Sequence, residues 1–168
     1  VILGGTGPVG VASAVICAKA GANVTLVGRS LEKAEKIAGI CNDRYDSKNV
    51  KGGADADKSD FFNVADIVLN TGAAGIQLMS EEHIKNSNTL KICADTNAVP
   101  PSGIAGVDVM DNGKVIDMSP SKCLGIGALA IGNIKYKSQH ECLKLMYTSE
   151  KPVYLDFEDA FKFAQKSV

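Results

Sequence analysis

Three glycines at the start of the chain have the spacing of a phosphate-binding turn. Gly5, Gly7 and Gly10 form a G-x-G-x-x-G pattern, preceded by the apolar run 1–3 and followed by an alanine-rich helical pattern over 9–20. Strand, turn and helix in this order predict a dinucleotide-binding βαβ unit. We expect Gly5 to make the tight turn, Gly7 to let the backbone approach the pyrophosphate, and Gly10 to let helix pack on strand. The alternative is a glycine-rich turn without a ligand. The predicted phosphate-binding residues are Gly5, Thr6, Gly7, Pro8, Val9 and Gly10.

Residues at the end of the second predicted strand indicate which dinucleotide binds. An NAD-binding domain carries an acid here, which binds the ribose 2′-hydroxyl. No acid lies between Asn23 and Leu31, and Arg29 stands there instead. A guanidinium binds a 2′-phosphate through two charge-assisted hydrogen bonds. Ser30 adds a hydroxyl and Lys33 a positive charge, so we predict NADP as the cofactor. The alternative is an exposed arginine before an ordinary helix.

Two further loops are expected at the same edge of the sheet, because ligands of open α/β sheets bind beyond the carboxyl ends of the strands. The loop 71–75 has almost no side chains, so a flat nicotinamide and its ribose could lie against its backbone. In the loop 95–101, Asp95 and Asn97 could contact ribose or carboxamide; the alternative is ordinary Asx-turn hydrogen bonding. The cofactor residues predicted from these loops are Thr71, Gly72, Ala73, Ala74 and Asn97.

Acid–base machinery is hard to identify in the sequence. His83 and His140 lie on predicted helices without a partner at triad-like or metal-like spacing, so we expect both to be structural or solvated. Lys135 and Lys137 flank Tyr136 and match the Lys–Tyr pair of NADP reductases in residue type only, since the spacing differs. The five cysteines show no metal-ligand spacing, and no metal site is predicted.

Composition excludes several classes of protein. The 168 residues suffice for one ordinary domain, 1–168, and a net charge of −1 gives no footprint for nucleic acid or an anionic membrane. An odd number of cysteines, some in apolar runs, favours reduced thiols over a disulfide framework. No apolar run has transmembrane length and no signal peptide is visible, so we expect a cytoplasmic protein.

The elements that must position these residues alternate between strand and helix. Strands are predicted at 1–3, 24–27, 66–70 and 90–94, with a short one near 49–51. Helices are predicted at 9–20, 31–42, 77–86, 125–146 and 156–166, and a hairpin joins 107–110 to 114–116 through an Asn112-Gly113 turn. This alternation predicts a doubly wound parallel sheet of the Rossmann type. The chain opens inside its first strand, so we interpret it as one part of a longer protein that also has an N-terminal substrate domain.

The motifs together resemble the nucleotide-binding domain of the NADP-dependent methylene-tetrahydromethanopterin dehydrogenases of one-carbon metabolism. The first block of the resemblance is shared by many families, whereas the Asn-x-x-Pro-Pro loop and the late glycine-rich segment are more particular. The matching blocks are Gly4–Gly10, Val27–Arg29, Thr71–Gly75, Ala94–Pro101 and Gly125–Lys135.

The resemblance implies hydride transfer from the methylene carbon of a reduced pterin, of the tetrahydromethanopterin or tetrahydrofolate type, to NADP. Nitrogen lone pairs stabilise the resulting cation, which would explain the missing acid–base pair. Lys135 ends the last matching block, so we predict it as a catalytic residue that reaches the pterin cleft. In this family an N-terminal domain forms the other wall of that cleft, and we expect these residues alone to be inactive. We also expect a homo-oligomer. The alternatives are another NADP oxidoreductase, similar to shikimate dehydrogenase or glutamyl-tRNA reductase, or a non-catalytic NADP sensor.

Overall fold

A seven-stranded sheet runs through the protein, and the computed structural model describes residues 1–167. The strands are β1 (Ile2–Leu3), β2 (Val24–Gly28), β3 (Val50–Ala54), β4 (Ile67–Asn70), β5 (Ile92–Asp95), β6 (Asn112–Val115) and β7 (Leu124–Ile126). Their order across the sheet is β3-β2-β1-β4-β5-β7-β6. All neighbours are parallel except β6 and β7, which pair antiparallel at one side. The predicted α/β parallel sheet is therefore confirmed, including its weakly signalled third strand.

Helices cover both faces of this sheet. They are α1 (Pro8–Lys19), α2 (Leu31–Tyr45), α3 (Lys58–Phe62), α4 (Glu81–Asn86), α5 (Ala128–Thr148) and α6 (Phe157–Gln165). Successive residues of a strand point to opposite faces, so Ile2 and Leu3 belong to different hydrophobic cores. Ile2 packs in a cluster with Val15 of α1, whereas Leu3 packs in a cluster with Phe62 and Ile84 of α3 and α4. Two cores on opposite faces make the sheet doubly wound.

The helix predicted at 77–86 is shorter than expected. Leu78 and Met79 lie outside the helix, because their backbone N–H groups both donate to the carbonyl of Gly103, at 2.8 and 3.0 Å, and Met79 forms a parallel bridge with Ile104. The helix begins only after Ser80, which caps it. The local sequence showed the helical pattern, but pairing with the distant segment around Gly103 removes its first turn.

The predicted hairpin through Asn112-Gly113 is wrong. These two residues lie inside β6, whose partner is β7 and not the segment 107–110. Gly113 has a φ of +82° beside an irregularity in the β6–β7 register, so the Asn-Gly pair accommodates a bulge instead of a turn. The segment 107–110 turns instead, and the Asp108 amide donates to the Asp111 carboxylate at 2.8 Å.

The long helical segment predicted from Gly125 is also partly wrong, because its first residues form β7. Leu124–Ile126 pairs with β5, and the helix begins after Gly127. A Cβ on Gly127 would lie 2.0 Å from the Asp108 carbonyl oxygen, so the chain passes too close for any side chain.

Among residues 1–167, no helix combines the length and apolarity that crossing a bilayer requires. The five cysteines are free thiols, and three of them, Cys41, Cys93 and Cys123, are buried.

Candidate nucleotide-binding site

The glycine-rich loop after β1 is shaped by contacts that only glycine permits. Gly4 has a φ of +64°, so Gly4 is the left-handed residue of the turn. The sequence pattern had instead suggested Gly5 for the tight turn. A Cβ on Gly5 would lie 2.2 Å from Leu26 Cδ2, so Gly5 lets the loop lie against β2. A Cβ on Gly10 would lie 2.5 Å from the Cα of Gly5. The predicted close approach of α1 is therefore present, and the first turn of that helix touches the loop at the end of β1.

Gly7 differs from its neighbours because no protein atom requires a glycine there. A Cβ at this position would meet only the Gly4 carbonyl oxygen, at an ordinary 3.7 Å. Its backbone is extended, with φ −86° and ψ 169°, which suits most residues. Gly7 is the N-cap of α1 and Pro8 the first helical residue, so the open space lies at the positive end of the helix. This arrangement leaves room for an anion to approach the backbone at Gly7.

Thr6 connects the glycine-rich loop to the end of β2. A Cβ on Gly28 would lie 2.7 Å from Thr6 Cγ2. The threonine methyl therefore occupies the space that a side chain at Gly28, the last residue of β2, would need. Arg29 follows directly and is exposed. Among residues 1–167 it has no acidic partner within 4.0 Å, so its guanidinium remains available for a ligand.

Ser30 and Lys33 lie beside Arg29 at the start of α2. Ser30 is the N-cap, and its hydroxyl oxygen accepts the backbone N–H of Lys33 at 3.3 Å. That bond uses an acceptor site of the hydroxyl and leaves its own proton free. The Lys33 side chain is exposed. The three residues predicted to select the cofactor therefore occupy one short surface segment next to the glycine-rich loop.

An acid that the sequence did not single out lies on the neighbouring strand. Gly28 pairs with Ala54 in the β2–β3 register, which places Asp55 beside Arg29 along the same edge. Lys58 Nζ lies 3.0 Å from the Asp55 carboxylate and partly neutralises it. The signal was only an acid after a weakly predicted strand, and the register of β3 was needed to show its position.

The loop after β4 lies against the glycine-rich loop. The backbone N–H and the hydroxyl of Thr71 both donate to the Leu3 carbonyl at 2.9 Å. A Cβ on Gly4 would lie 2.5 Å from the Cα of Gly72, so the two backbones touch. Ala73 and Ala74 are exposed beyond this contact. The loops after β1 and β4 thus form one surface at the point where the strand order reverses direction, which is where open α/β sheets bind ligands.

Buried polar side chains join the ends of β4 and β5 beneath this surface. Asn70 is fully buried; its amide donates to Asp95 Oδ1 at 2.7 Å, and its Oδ1 accepts the N–H of Gly72 at 3.0 Å. Gly103 allows this arrangement, because a Cβ there would lie 1.7 Å from the Asn70 amide nitrogen. Asn70 is not among the site residues predicted from the sequence, although a polar residue at the end of an apolar strand is a recognisable signal.

Asn97 is also buried and holds its own loop. Its Oδ1 accepts the N–H groups of Val99 and Gly75, at 2.9 and 3.3 Å, and its Nδ2 donates to the Pro101 carbonyl at 2.9 Å. These bonds are the Asx-turn role that the sequence offered as one of two alternatives. They also connect the loop after β5 to the loop after β4. Direct contact of Asn97 with a cofactor remains a prediction.

The candidate acid–base residues lie on helices α4 and α5, outside the loops that form this surface. His83 belongs to a capping box, in which its Nδ1 accepts the Ser80 N–H at 3.1 Å. Burial and then the nearby Lys58 lower the pKa of His83. His140 is exposed beside Glu141, at 3.5 Å. Lys135 is exposed on α5, seven residues past the helix start and therefore about 10 Å along its axis.

The sequence of this chain matches curated proteins of one bacterium. The chain is 39% identical over 167 residues to an "NAD(P)-dependent methylenetetrahydromethanopterin dehydrogenase" of Methylorubrum extorquens AM1, covering 98% of this chain and 56% of that protein. It is 37% identical over 149 residues to the "Bifunctional protein MdtA" of the same organism, covering 87% of this chain and 50% of that protein. The chain thus spans about half the length of the curated relatives it matches. No protein-family model matches it.

A solved structure shows the same fold. The quinate dehydrogenase from Corynebacterium glutamicum, determined in complex with NAD, aligns with a TM-score of 0.60 over 99% of this chain and 54% of that one, at 16% identity. At that identity the likeness establishes the Rossmann-like fold alone. The much closer sequence matches confirm the resemblance that the motifs predicted. The chain is homologous, over almost all its length, to about half of an NAD(P)-dependent methylenetetrahydromethanopterin dehydrogenase.

Proposed function

We propose that this domain binds NADP and forms the cofactor-binding half of a dehydrogenase that oxidises a methylene-tetrahydromethanopterin-type pterin. The observation that carries the proposal is the space at Gly7, where the protein leaves room above a helix N-terminus, next to Arg29, which has no acidic partner within 4.0 Å among residues 1–167. The name of the relative at 39% identity, an NAD(P)-dependent methylenetetrahydromethanopterin dehydrogenase, supports a nicotinamide dinucleotide as cofactor and a pterin as substrate class.

The adenosine half of the cofactor is assigned to the β1–β2 side. The pyrophosphate would lie over Gly7, and Arg29, Ser30 and Lys33 would hold the 2′-phosphate by charge-assisted hydrogen bonds. The Asp55 carboxylate is suited to accept from the adenine amine. Its ion pair with Lys58 at 3.0 Å limits its repulsion of the phosphate.

The nicotinamide half is assigned to the β4–β5 side, where the backbone of 71–75 presents a nearly side-chain-free surface. When bound, NADP supplies the hydride acceptor. The residues described here would orient the ring and exclude water from one face of it, which is a large share of catalysis in a reaction that needs little proton transfer. Asn70, Asp95 and Asn97 fix the floor of this surface through their mutual hydrogen bonds.

Cofactor titration tests the binding part of the proposal. Calorimetry at low salt should show tighter binding of NADP than of NAD to the intact protein. Arg29→Asp should reverse the order, because it replaces a phosphate-binding cation with a repelling anion; a charged hydrogen bond of this kind is worth about 1.5–3 kcal/mol. Arg44→Asp is the matched control, since Arg44 is exposed at the far end of the same helix, α2. Equal affinities of the unaltered protein for both nucleotides would contradict the assignment.

Turnover tests the substrate. The intact protein should form methenyl-pterin and NADPH in equal amounts from methylene-tetrahydromethanopterin and NADP. Oxidation of shikimate in place of the pterin would point to a different dehydrogenase. Tight NADP binding without turnover of any of these substrates would favour a sensor.

A further inference from the structure

A buried carboxylate lies beneath the surface assigned to the nicotinamide. Asp95 is the last residue of β5, and only 2% of it is exposed. Its carboxylate accepts three hydrogen bonds: from the Asn70 amide at 2.7 Å, from the Asn97 backbone at 3.0 Å, and from the Ile104 backbone at 3.1 Å. Within residues 1–167 no cationic group lies within 4.0 Å of it. It is an acid without a counter-charge.

All three partners of the Asp95 carboxylate are N–H donors, so each directs the positive end of a dipole toward it. The partners are neutral dipoles, which stabilise the charge locally without cancelling it. A buried charge is screened less than an exposed one, so its field extends to the surface above.

The hydrogen bonds around Asp95 show where its charge lies relative to the loops after β4 and β5. Asn70 connects the carboxylate to the N–H of Gly72, and Asn97 connects the same carboxylate to the N–H of Gly75. Asp95 therefore lies under the side-chain-poor segment 71–75. Arg29 follows β2 on the other side of β1, so a cofactor anchored there would extend its nicotinamide half toward β4 and β5.

We propose that Asp95 stabilises the positive charge of the oxidised nicotinamide ring and so sets the preference of the site for NADP⁺ over NADPH. This rests on the proposed cofactor function and adds to it a charge-discriminating residue that acts through space. The two forms of the cofactor share their phosphates and riboses and differ in the ring, which is cationic when oxidised and neutral when reduced. Asp95 repels the phosphates of both forms equally, so the ratio of the two affinities isolates its effect on the ring.

The test is the ratio of two dissociation constants in the Asp95→Asn variant of the intact protein. NADP⁺ is titrated by calorimetry and NADPH by its fluorescence. Removing the charge should lower the preference for NADP⁺ by about 15-fold, the value for two unit charges at an assumed separation of about 10 Å and an effective dielectric constant near 20. Asp111→Asn is the control, because Asp111 is also a buried acid but has Lys114 at 3.9 Å.

A structural role for Asp95 predicts a different result. Loss of a loop-holding hydrogen bond would weaken NADP⁺ and NADPH equally, and an unchanged ratio would overturn the inference. If Asp95→Asn does not fold, Thr96→Lys decides: Thr96 is exposed next to Asp95, and a cation there should shift the ratio in the same direction. An unchanged ratio in Thr96→Lys would then overturn the inference. Failure of the unaltered protein to bind either nucleotide would overturn the proposed function itself.

Discussion

Replacing Gly7 should separate nucleotide binding from folding. The position has an extended backbone that valine adopts readily, and a Cβ there makes one ordinary contact at 3.7 Å. The cost to stability is then limited to a poorer N-cap, about 0.5–1.5 kcal/mol. The valine methyls, however, would fill the space above the N-terminus of α1. Loss of charged hydrogen bonds to the pyrophosphate, about 1.5–3 kcal/mol each, should weaken NADP binding at least tenfold.

Gly10→Ala is the informative contrast. Its Cβ would lie 2.5 Å from the Cα and O atoms of Gly5 and 2.6 Å from its C atom, and backbone cannot move aside as a flexible side chain can. Overpacking of this kind costs about 1–3 kcal/mol. For a domain of this size that corresponds to a fall in Tm of about 2–12 °C. Gly7→Val should lose affinity with little change in Tm, whereas Gly10→Ala should lose Tm first.

Both quantities are measured on the same samples, by calorimetric titration and thermal unfolding. Gly39→Val serves as a neutral control, because a Cβ on Gly39 in the middle of α2 would meet nothing within 4 Å. Binding by Gly7→Val within a few-fold of the unaltered protein would place the pyrophosphate elsewhere. A fall in Tm equal to that of Gly10→Ala would show that a side chain at position 7 clashes with the protein and that the space there is not open.

The remaining predictions concern the residues outside the nucleotide surface. Stability should decline as the pH falls below about 6.5, because burial lowers the pKa of His83 in the folded state and protonation removes the Nδ1 acceptor of its capping box. His83→Gln should flatten that decline in denaturant titrations, since glutamine preserves a capping box without titrating, and it should leave kcat within a few-fold. His140→Gln should also leave kcat nearly unchanged, because the ring is exposed beside Glu141. Lys135→Ala should lower kcat/KM for the pterin about tenfold without changing the Kd for NADP, if Lys135 donates one charged hydrogen bond in the cleft. Lys137→Ala, on a different side of α5, should change neither; equal losses in the two lysine variants would remove the case for Lys135.

The first half of the fold was predictable because its signals are local. Gly5, Gly7 and Gly10 specify turn and helix within ten residues, and Ser30 marks the start of α2 in both sequence and structure. The parallel order then follows from the alternation of strands and helices. Arg29 could be placed on the same reasoning, since it directly follows a compact apolar strand. Its contact with a 2′-phosphate remains a prediction.

The second half was predicted less well because distant contacts decide it. The Asn112-Gly113 pair has the local preference for a turn, but β7 provides a partner for β6 that the hairpin lacks, and Val107 is buried in the core instead of pairing. Gly125 and Ile126 have the pattern of the start of a helix, but they pair with β5 as part of a strand. The role of Asn70 was not predicted for the same reason. Its hydrogen bond and close packing involve Asp95 and Gly103, which are 25 and 33 residues away in the sequence.

The polar residues under the β4 and β5 loops would act on the proposed reaction without serving as an acid–base pair. Asp95 and Asn97 use their hydrogen bonds on the protein itself, so neither has the free geometry of a proton donor or acceptor. Their effect must be exerted through shape and charge. In the proposed hydride transfer the positive charge would move from the nicotinamide ring to the pterin, and a carboxylate under the ring would oppose that movement. Asp95 should therefore favour binding of NADP⁺ before the transfer and release of NADPH after it. The charge that promotes binding of the oxidised cofactor would also limit how far the equilibrium on the protein favours the reduced one.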